Sequence, residues 1–336
     1  MRELSIRSWI DRAKRNWQSD KKRAVMEAAY CLYLGPWFTA TSRRPIGTNV
    51  YDLGWDALII LDACRVDALR YLAPEYDFLD ARSIDSIVSV GSGSREWLVK
   101  TFNEDHLEDV QETALVSANG FDRDIFMNDR YLPGIAVPFC WPGADPVTEH
   151  DFLRYDPVWR DCRDERLDTV PPEATTNRAI LAGREADADR LVVHYAQPHT
   201  PYIADAATDG GRELTDIERS AWGALKQGSV PNEVVWRMYL NNLRHALDSV
   251  GVLLENLDAE KVVLSADHGE AFGEWGIQGH PTGLPHPHVK RVPWATTTAT
   301  DYESVATDDI ASPAANSTED DGTVEEHLEA LGYGKF

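Results

Sequence analysis

The run Ala57-Leu-Ile-Ile-Leu61, followed at once by Asp62, constrains this chain of 336 residues more than any other feature. An unbroken apolar run of this length, without polar alternation, describes a strand buried on both faces of its sheet. The type recurs at residues 87–90, 114–116, 191–193 and 261–265, and residues 292–295 read as one more strand. Helical patterns lie between these runs. One is short, over residues 96–102. The other is long, over residues 233–257, where Tyr239, Leu243, Leu247, Val250, Leu254 and Leu257 recur at spacings of three and four. Strands alternating with helices predict an α/β domain with a largely parallel sheet covered on both faces. Reactive residues are then expected just beyond the carboxyl ends of the strands.

Charge narrows the partners. The chain carries 56 acids against 33 bases, a formal charge of −23, which disfavours nucleic acid because a polyanion is repelled over most of the surface. The bases are 25 Arg and only 8 Lys. An acid-rich, lysine-poor surface suits strong salt, where screening over a few ångströms tames self-repulsion, so a halophilic source is expected. Residues 1–44 break the pattern, with ten bases and four acids. Leu4, Ile6, Trp9, Ile10 and Trp17 fall mostly on one side of a helix, with Arg7, Arg12, Lys14 and Arg15 between them. Such a helix, over residues 1–23, either makes peripheral contact with an anionic membrane or packs on the domain. Residues 24–40 are apolar enough to want protein cover. No compact apolar stretch with a small-residue cleavage site opens the sequence, so a cytoplasmic location is expected, with the inner membrane surface as the place of any contact. Residues 300–321, rich in Ala, Thr, Ser and Asp, read as a solvated linker, and residues 323–331 as a short closing helix.

Four strand ends carry candidate chemistry. Asp62, with Arg65 three residues on, follows the first strand; it is either a metal ligand or a cap for the next helix. The turn Gly91-Ser-Gly-Ser94 closes the second, where glycines let the backbone wrap an anion at a helix start. G-x-S-x-G is absent, so a Ser-His-Asp triad has no anchor there. His194 and His199 follow the strand at 191–193, and Pro198 and Pro201 stiffen the surroundings of His199. Ser265-Ala-Asp267-His268-Gly269-Glu270 follows the strand at 261–265, and His280, His286 and His288 return imidazoles to the same neighbourhood. Carboxylate beside imidazole at a strand end offers hard and borderline donors to one divalent ion.

The order LDACRVDAL, GSGSREWL, HYAQPHTPY, SADHGEAFGEWGIQGHP and HVKRVPW, over residues 49–294, resembles the alkaline phosphatase and sulfatase superfamily, and the ending EEHLEALGYGKF looks like the tails of sulfatase-annotated archaeal proteins. The resemblance implies an alkaline-phosphatase-like fold, a mixed, mostly parallel sheet sandwiched between helices, over residues 45–300. Residues 1–44 would form a basic helical segment before it, and residues 301–336 an acidic linker with a short helix. Carried over, Asp62, Ser94, Asp267 and His268 would hold a metal, while His199 and His280 match positions that bind a second metal or touch the transferred group in the phosphoethanolamine transferase branch. Formylglycine sulfatases need Cys or Ser followed by x-Pro-x-Arg, whereas Ser94 is followed by Arg95, Glu96, Trp97 and Leu98. The Asp-x-x-x-His pair of the alkaline phosphatases is also missing. One or two divalent ions are therefore expected, with imidazole favouring zinc or manganese over calcium or magnesium.

The expected activity is hydrolysis or transfer of phosphate esters, small or linked to a glycan or lipid, through a metal-activated serine and a covalent phospho-serine. The metal, Arg65 or Arg95, and imidazoles would meet charge on the equatorial oxygens, and His199 or His280 would protonate the leaving oxygen. Two alternatives stand beside it. One is hydrolysis of sulfate esters without formylglycine; the other is a membrane-peripheral scaffold that has lost turnover. Ser92 is the competing nucleophile in the same turn.

Overall fold

β1 (Ala57–Leu61) is buried at every position, as its unbroken apolar run requires. A computed structural model describes residues 21–128, 137–140, 143 and 145–310, together with Ile10, Lys14 and Trp17. The remaining strands are β2 (Asp85–Val88), β3 (Thr113–Ser117), β4 (Arg154–Pro157), β5 (Arg190–Tyr195), β6 (Ala259–Ser265), β7 (Ala271–Phe272), β8 (Gln278–Gly279) and β9 (Arg291–Ala299). The longer helices are α1 (Lys21–Thr41), α2 (Val66–Leu72), α3 (Ser94–Thr101), α4 (Pro172–Glu185) and α5 (Asn232–Leu254). Seven strands form one sheet in the order β2-β9-β6-β1-β5-β3-β4, and β7 with β8 forms a separate hairpin. From β6 to β4 every pairing is parallel, while β9 runs antiparallel to both β6 and β2. The mixed, mostly parallel sheet expected from the sequence is present.

Alternation along β1 divides the core. Ile59 and Leu61 pack with Val193, Leu264, Leu243 and Leu247 on the face covered by α4 and α5. Leu58 and Ile60 pack with Val192, Val263, Trp97 and Phe102 on the other face. Each of these side chains contributes about 1.5–3 kcal/mol on burial.

Four expectations change. The second strand ends at Val88 rather than 90, because Ser89 leaves the ladder to donate its N–H to the Lys290 carbonyl. α4 has no bold apolar stripe; it buries Thr175, Thr176, Ala179 and Ala182, small residues that hydropathy patterns overlook. β4 is a short polar edge strand within a stretch that reads as loop. Residues 301–310 are not a solvated linker: Asp301 pairs with Arg184 at 2.7 Å, Asn256 accepts from the Val305 N–H at 2.8 Å, and Ile310 is buried. The expected helix at 323–331 and most of the amphipathic stretch at 1–23 lie outside the described residues.

Candidate active site

The carboxyl ends of β1, β5 and β6, adjacent in the sheet, bring Asp62, His199 and Asp267-His268 together. The turn after β1 bends sharply at Ala63, whose φ of 62° is unusual for a residue with a side chain. The Tyr239 hydroxyl from α5 holds that turn by donating to the Ala63 carbonyl and accepting from the Arg65 N–H, each at 2.9 Å. Asp267 Oδ1 receives the N–H groups of Ala63 at 3.1 Å and of His268 at 2.8 Å. Gly269 passes so close to the opposite chain that an added Cβ would lie 2.2 Å from the His288 carbonyl oxygen, so the chain can leave His268 this tightly only as glycine.

Ser94 reaches this centre from an edge strand because the intervening turn is tied inward. The Ser89 hydroxyl donates to the Asp267 carbonyl and accepts from the Gly91 N–H. Ser94 then opens α3, with its Oγ 3.3 Å from Asp62 Oδ2 and 3.4 Å from His268 Nε2. No side chain caps α3, so its first amides are available to an anion. Ser92 faces elsewhere. Its hydroxyl donates to Glu96 at 2.6 Å and accepts from the Gly283 N–H at 2.6 Å.

Two groups of donors could each hold a metal ion: Asp62, Asp267 and His268, and next to them His199, Glu270 and His280. The rings of His268 and His280 lie 4.2 Å apart, so the groups adjoin. In the first group, His268 Nε2 is 3.6 Å from Asp62 Oδ1 and 3.4 Å from Asp267 Oδ2. These separations are long for hydrogen bonds but close to the roughly 3.3–3.6 Å between donors that share an ion at about 2.0–2.2 Å. Asp62 Oδ1 and Asp267 Oδ2 are buried without a hydrogen-bond partner. Burial, then Asp267 and Glu270, push the Asp62 carboxyl well above its usual range. Burial acts on Asp267 too, but His268 and His194 bring it below its ordinary value. Two carboxylates this dry need a shared proton or a cation. The donor set fits a divalent ion.

The histidines are prepared as ligands. His268 Nδ1 lies 2.9 Å from the Gly269 carbonyl and His199 Nδ1 lies 2.7 Å from the Thr200 carbonyl. A carbonyl only accepts, so each Nδ1 carries the proton and each lone pair sits on Nε2. His280 Nδ1 meets Glu270 at 2.8 Å. Burial drives the pKa of His199 and of His280 down to about 4, and that of Glu270 up to about 7. Neutral imidazole is the ligating form, and it is a poor proton donor.

Other expectations are corrected here. Arg65 lies beside the second group but is already engaged: its guanidinium binds Asp67 and Glu274, each at 2.7 Å, donates to the Glu270 carbonyl at 3.2 Å and lies over the Trp236 ring. Two carboxylates therefore occupy the charge expected to meet equatorial oxygens. Arg95 likewise pairs with Asp124 and lies over Phe121. His286 and His288 join neither group; His286 Nδ1 accepts from the His288 N–H at 3.2 Å, and its ring packs on Trp275. His194 is wholly buried behind both carboxylates, edge-on to Trp97. The sequence reading missed Asn119, beyond β3, whose amide donates to Asp62 Oδ2 at 2.9 Å. A polar side chain two residues past an apolar strand was the only signal.

The chain has structural neighbours among the phosphoethanolamine transferases. The soluble domain of lipooligosaccharide phosphoethanolamine transferase A from Neisseria meningitidis is similar at 17% identity and a TM-score of 0.43, over 73% of this chain and 76% of that one. The integral membrane form of that protein gives 15% identity and a TM-score of 0.42, over 73% of this chain; this chain spans 47% of its length. The C-terminal periplasmic domain of phosphoethanolamine transferase EptC from Campylobacter jejuni gives 14% and 0.41, over 71% of this chain and 77% of that one. No family model and no curated relative matches the sequence.

Proposed function

We propose that this chain transfers or hydrolyses phosphate esters with divalent metal, through Ser94 as nucleophile. One observation carries the reading: a serine hydroxyl at an uncapped helix start faces Asp62 Oδ2 and the lone pair of His268, on carboxylates whose other oxygens, Asp62 Oδ1 and Asp267 Oδ2, are buried without a partner. The order of motifs along the sequence agrees with it. Asp62, Asp267 and His268, with the Ser94 oxygen, would hold one ion, and His199, Glu270 and His280 a second. When bound, such ions lower the pKa of a hydroxyl and neutralise phosphoryl oxygens.

The chain's own groups supply the rest. The Ser94 hydroxyl donates to Asp62 Oδ2, the atom placed to take its proton as the oxygen–phosphorus bond forms. Asn119 fixes that carboxylate through the same oxygen. The first amides of α3 orient the phosphoryl oxygens, and the ester oxygen departs as its bond to phosphorus breaks. Water or an acceptor hydroxyl then takes the group from Ser94. The neutral state of His199 and His280 suits them as ligands. Phosphate is favoured over sulfate because the segment after Ser94 lacks the x-Pro-x-Arg that formylglycine formation requires.

Parallel turnover of an aryl phosphate and an aryl sulfate by zinc- or manganese-loaded protein tests this. Phosphate should be the better substrate, and Ser94→Ala should lower its turnover by at least about a thousandfold. Faster sulfate turnover would move the reading to a sulfatase; no turnover of either ester by protein that holds metal would make it a scaffold.

A further inference from the structure

α1 is apolar on two opposite faces, and among the described residues only one of them is covered. The inner face buries Leu34 and Phe38 against Val137. The same side is bolted to the loop beyond His280, with the Tyr33 hydroxyl donating to the Gly283 carbonyl at 2.6 Å and Tyr30 to that of Thr282. An added Cβ at Gly283 would come 2.7 Å from Leu34, so the fit is tight. The outer face presents Val25, Met26, Ala29, Leu32 and Pro36, all exposed, at the three- and four-residue spacing of a single helical stripe. Met26 is 64% and Val25 53% exposed. No acid lies in that stripe, on a chain where acids outnumber bases by 56 to 33. Lys21 and Lys22 border one end, Arg43 and Arg44 the other.

We propose that the outer face of α1 docks on an anionic lipid bilayer, lying in the plane of the headgroups. This does not depend on the phosphoryl-transfer reading. α1 does not meet the requirements of a membrane span, since no described helix is long and apolar enough to cross one. An apolar stripe with basic borders is instead the pattern of a helix that lies on a surface. Charge separates the occupants. A second copy paired across a two-fold axis would bring the basic ends against one another, whether the helices ran parallel or antiparallel. An anionic bilayer satisfies both the stripe and its borders.

Co-sedimentation of the full chain with vesicles of phosphatidylglycerol and phosphatidylcholine is the test, with pure phosphatidylcholine in parallel. The wild type should pellet with the anionic vesicles. Met26→Glu with Leu32→Glu should lower the partition constant by about tenfold or more. Val25→Gln with Met26→Gln repeats the test without added charge and should give a smaller loss in the same direction; both pairs should unfold at the wild-type midpoint. Three results would overturn the proposal. The first is wild-type protein that stays in the supernatant with anionic vesicles; the second is unchanged binding by folded variants of both pairs. The third is a wild-type dimer that the substitutions convert to monomer, which would assign the face to a second copy.

Discussion

Replacing Glu96 by alanine should destabilise the protein by about 3–5 kcal/mol, because the change leaves Lys100 buried without its counter-charge. Both side chains are nearly inaccessible, at 5% and 4%. The carboxylate accepts from the Ser92 N–H at 2.9 Å, from the Ser92 hydroxyl at 2.6 Å, from the Trp37 indole at 3.2 Å and from Lys100. Burial alone would raise the pKa of Glu96, yet Lys100 and then Lys290 bring it down to about 2. Against the 4.5 of an unconstrained glutamate, that difference corresponds to about 3 kcal/mol, in line with the first figure. The folded pKa lies below the unfolded one, so this stability is present above about pH 4.5 and drains away as pH falls toward 2. Urea unfolding of Glu96→Ala, Lys100→Met and the double variant, followed by circular dichroism at pH 7, checks the argument. Each single variant should lose several kcal/mol, and the double should be at least about 2 kcal/mol more stable than their sum implies. A loss under about 1 kcal/mol for Glu96→Ala, or simple additivity, would refute it.

Ser94→Ala should abolish covalent labelling by phosphate esters, whereas Ser92→Ala, which disturbs only the support of the turn, should retain it; the reverse pattern in intact-mass spectra would exchange their roles. Elemental analysis should find one or two divalent ions per chain and their loss in Asp267→Ala with His268→Ala, and a metal-free wild type at neutral pH would count against both groups of donors. Burial raises the Asp122 carboxyl to about 7, even though the Trp159 indole donates to its Oδ1 at 2.6 Å. The folded pKa here exceeds the unfolded one, so the penalty grows as pH rises from about 4 to 7. Asp122→Asn should therefore raise the melting point at pH 8 and have little effect at pH 4, and a lower melting point at pH 8 would refute this.

The sheet was legible because its central strands are buried on both faces and carry the information in every residue. β1 matched its apolar run without adjustment, and β6 ends at the predicted Ser265. β4 and α4 were not legible, because an edge strand and a helix packed through threonine and alanine leave no hydropathy signal. The ligand candidates Asp62, His199, Asp267 and His268 converge because segments that follow neighbouring strands lie close together, whereas His280 is returned to them by the separate β7–β8 hairpin. What local sequence cannot carry is side-chain direction. Arg65 sits three residues from Asp62 yet is already engaged, because Asp67 and Glu274 offer it two charge-assisted bonds. His286 and His288 follow His280 closely, but they fold a short turn against Trp275. Asn119 was invisible since it needed the knowledge that β3 neighbours β5.

β1 is the middle strand of the seven-stranded sheet, yet both its neighbours are made long after it. The Ala63 amide and its partner on Asp267 are 204 residues apart in the chain. At about 5–20 residues per second, a ribosome needs roughly 10–40 s to cover that interval. Until β5 is made the strand Ala-Leu-Ile-Ile-Leu has no neighbour to pair with, and until β6 is made one of its edges stays open to any other nascent chain. The acids that give the finished molecule its surface charge are spread along that same unfinished length, where mutual repulsion keeps growing chains apart. The arrangement that brings three distant segments to one point thus makes birth, rather than working life, the period of greatest exposure.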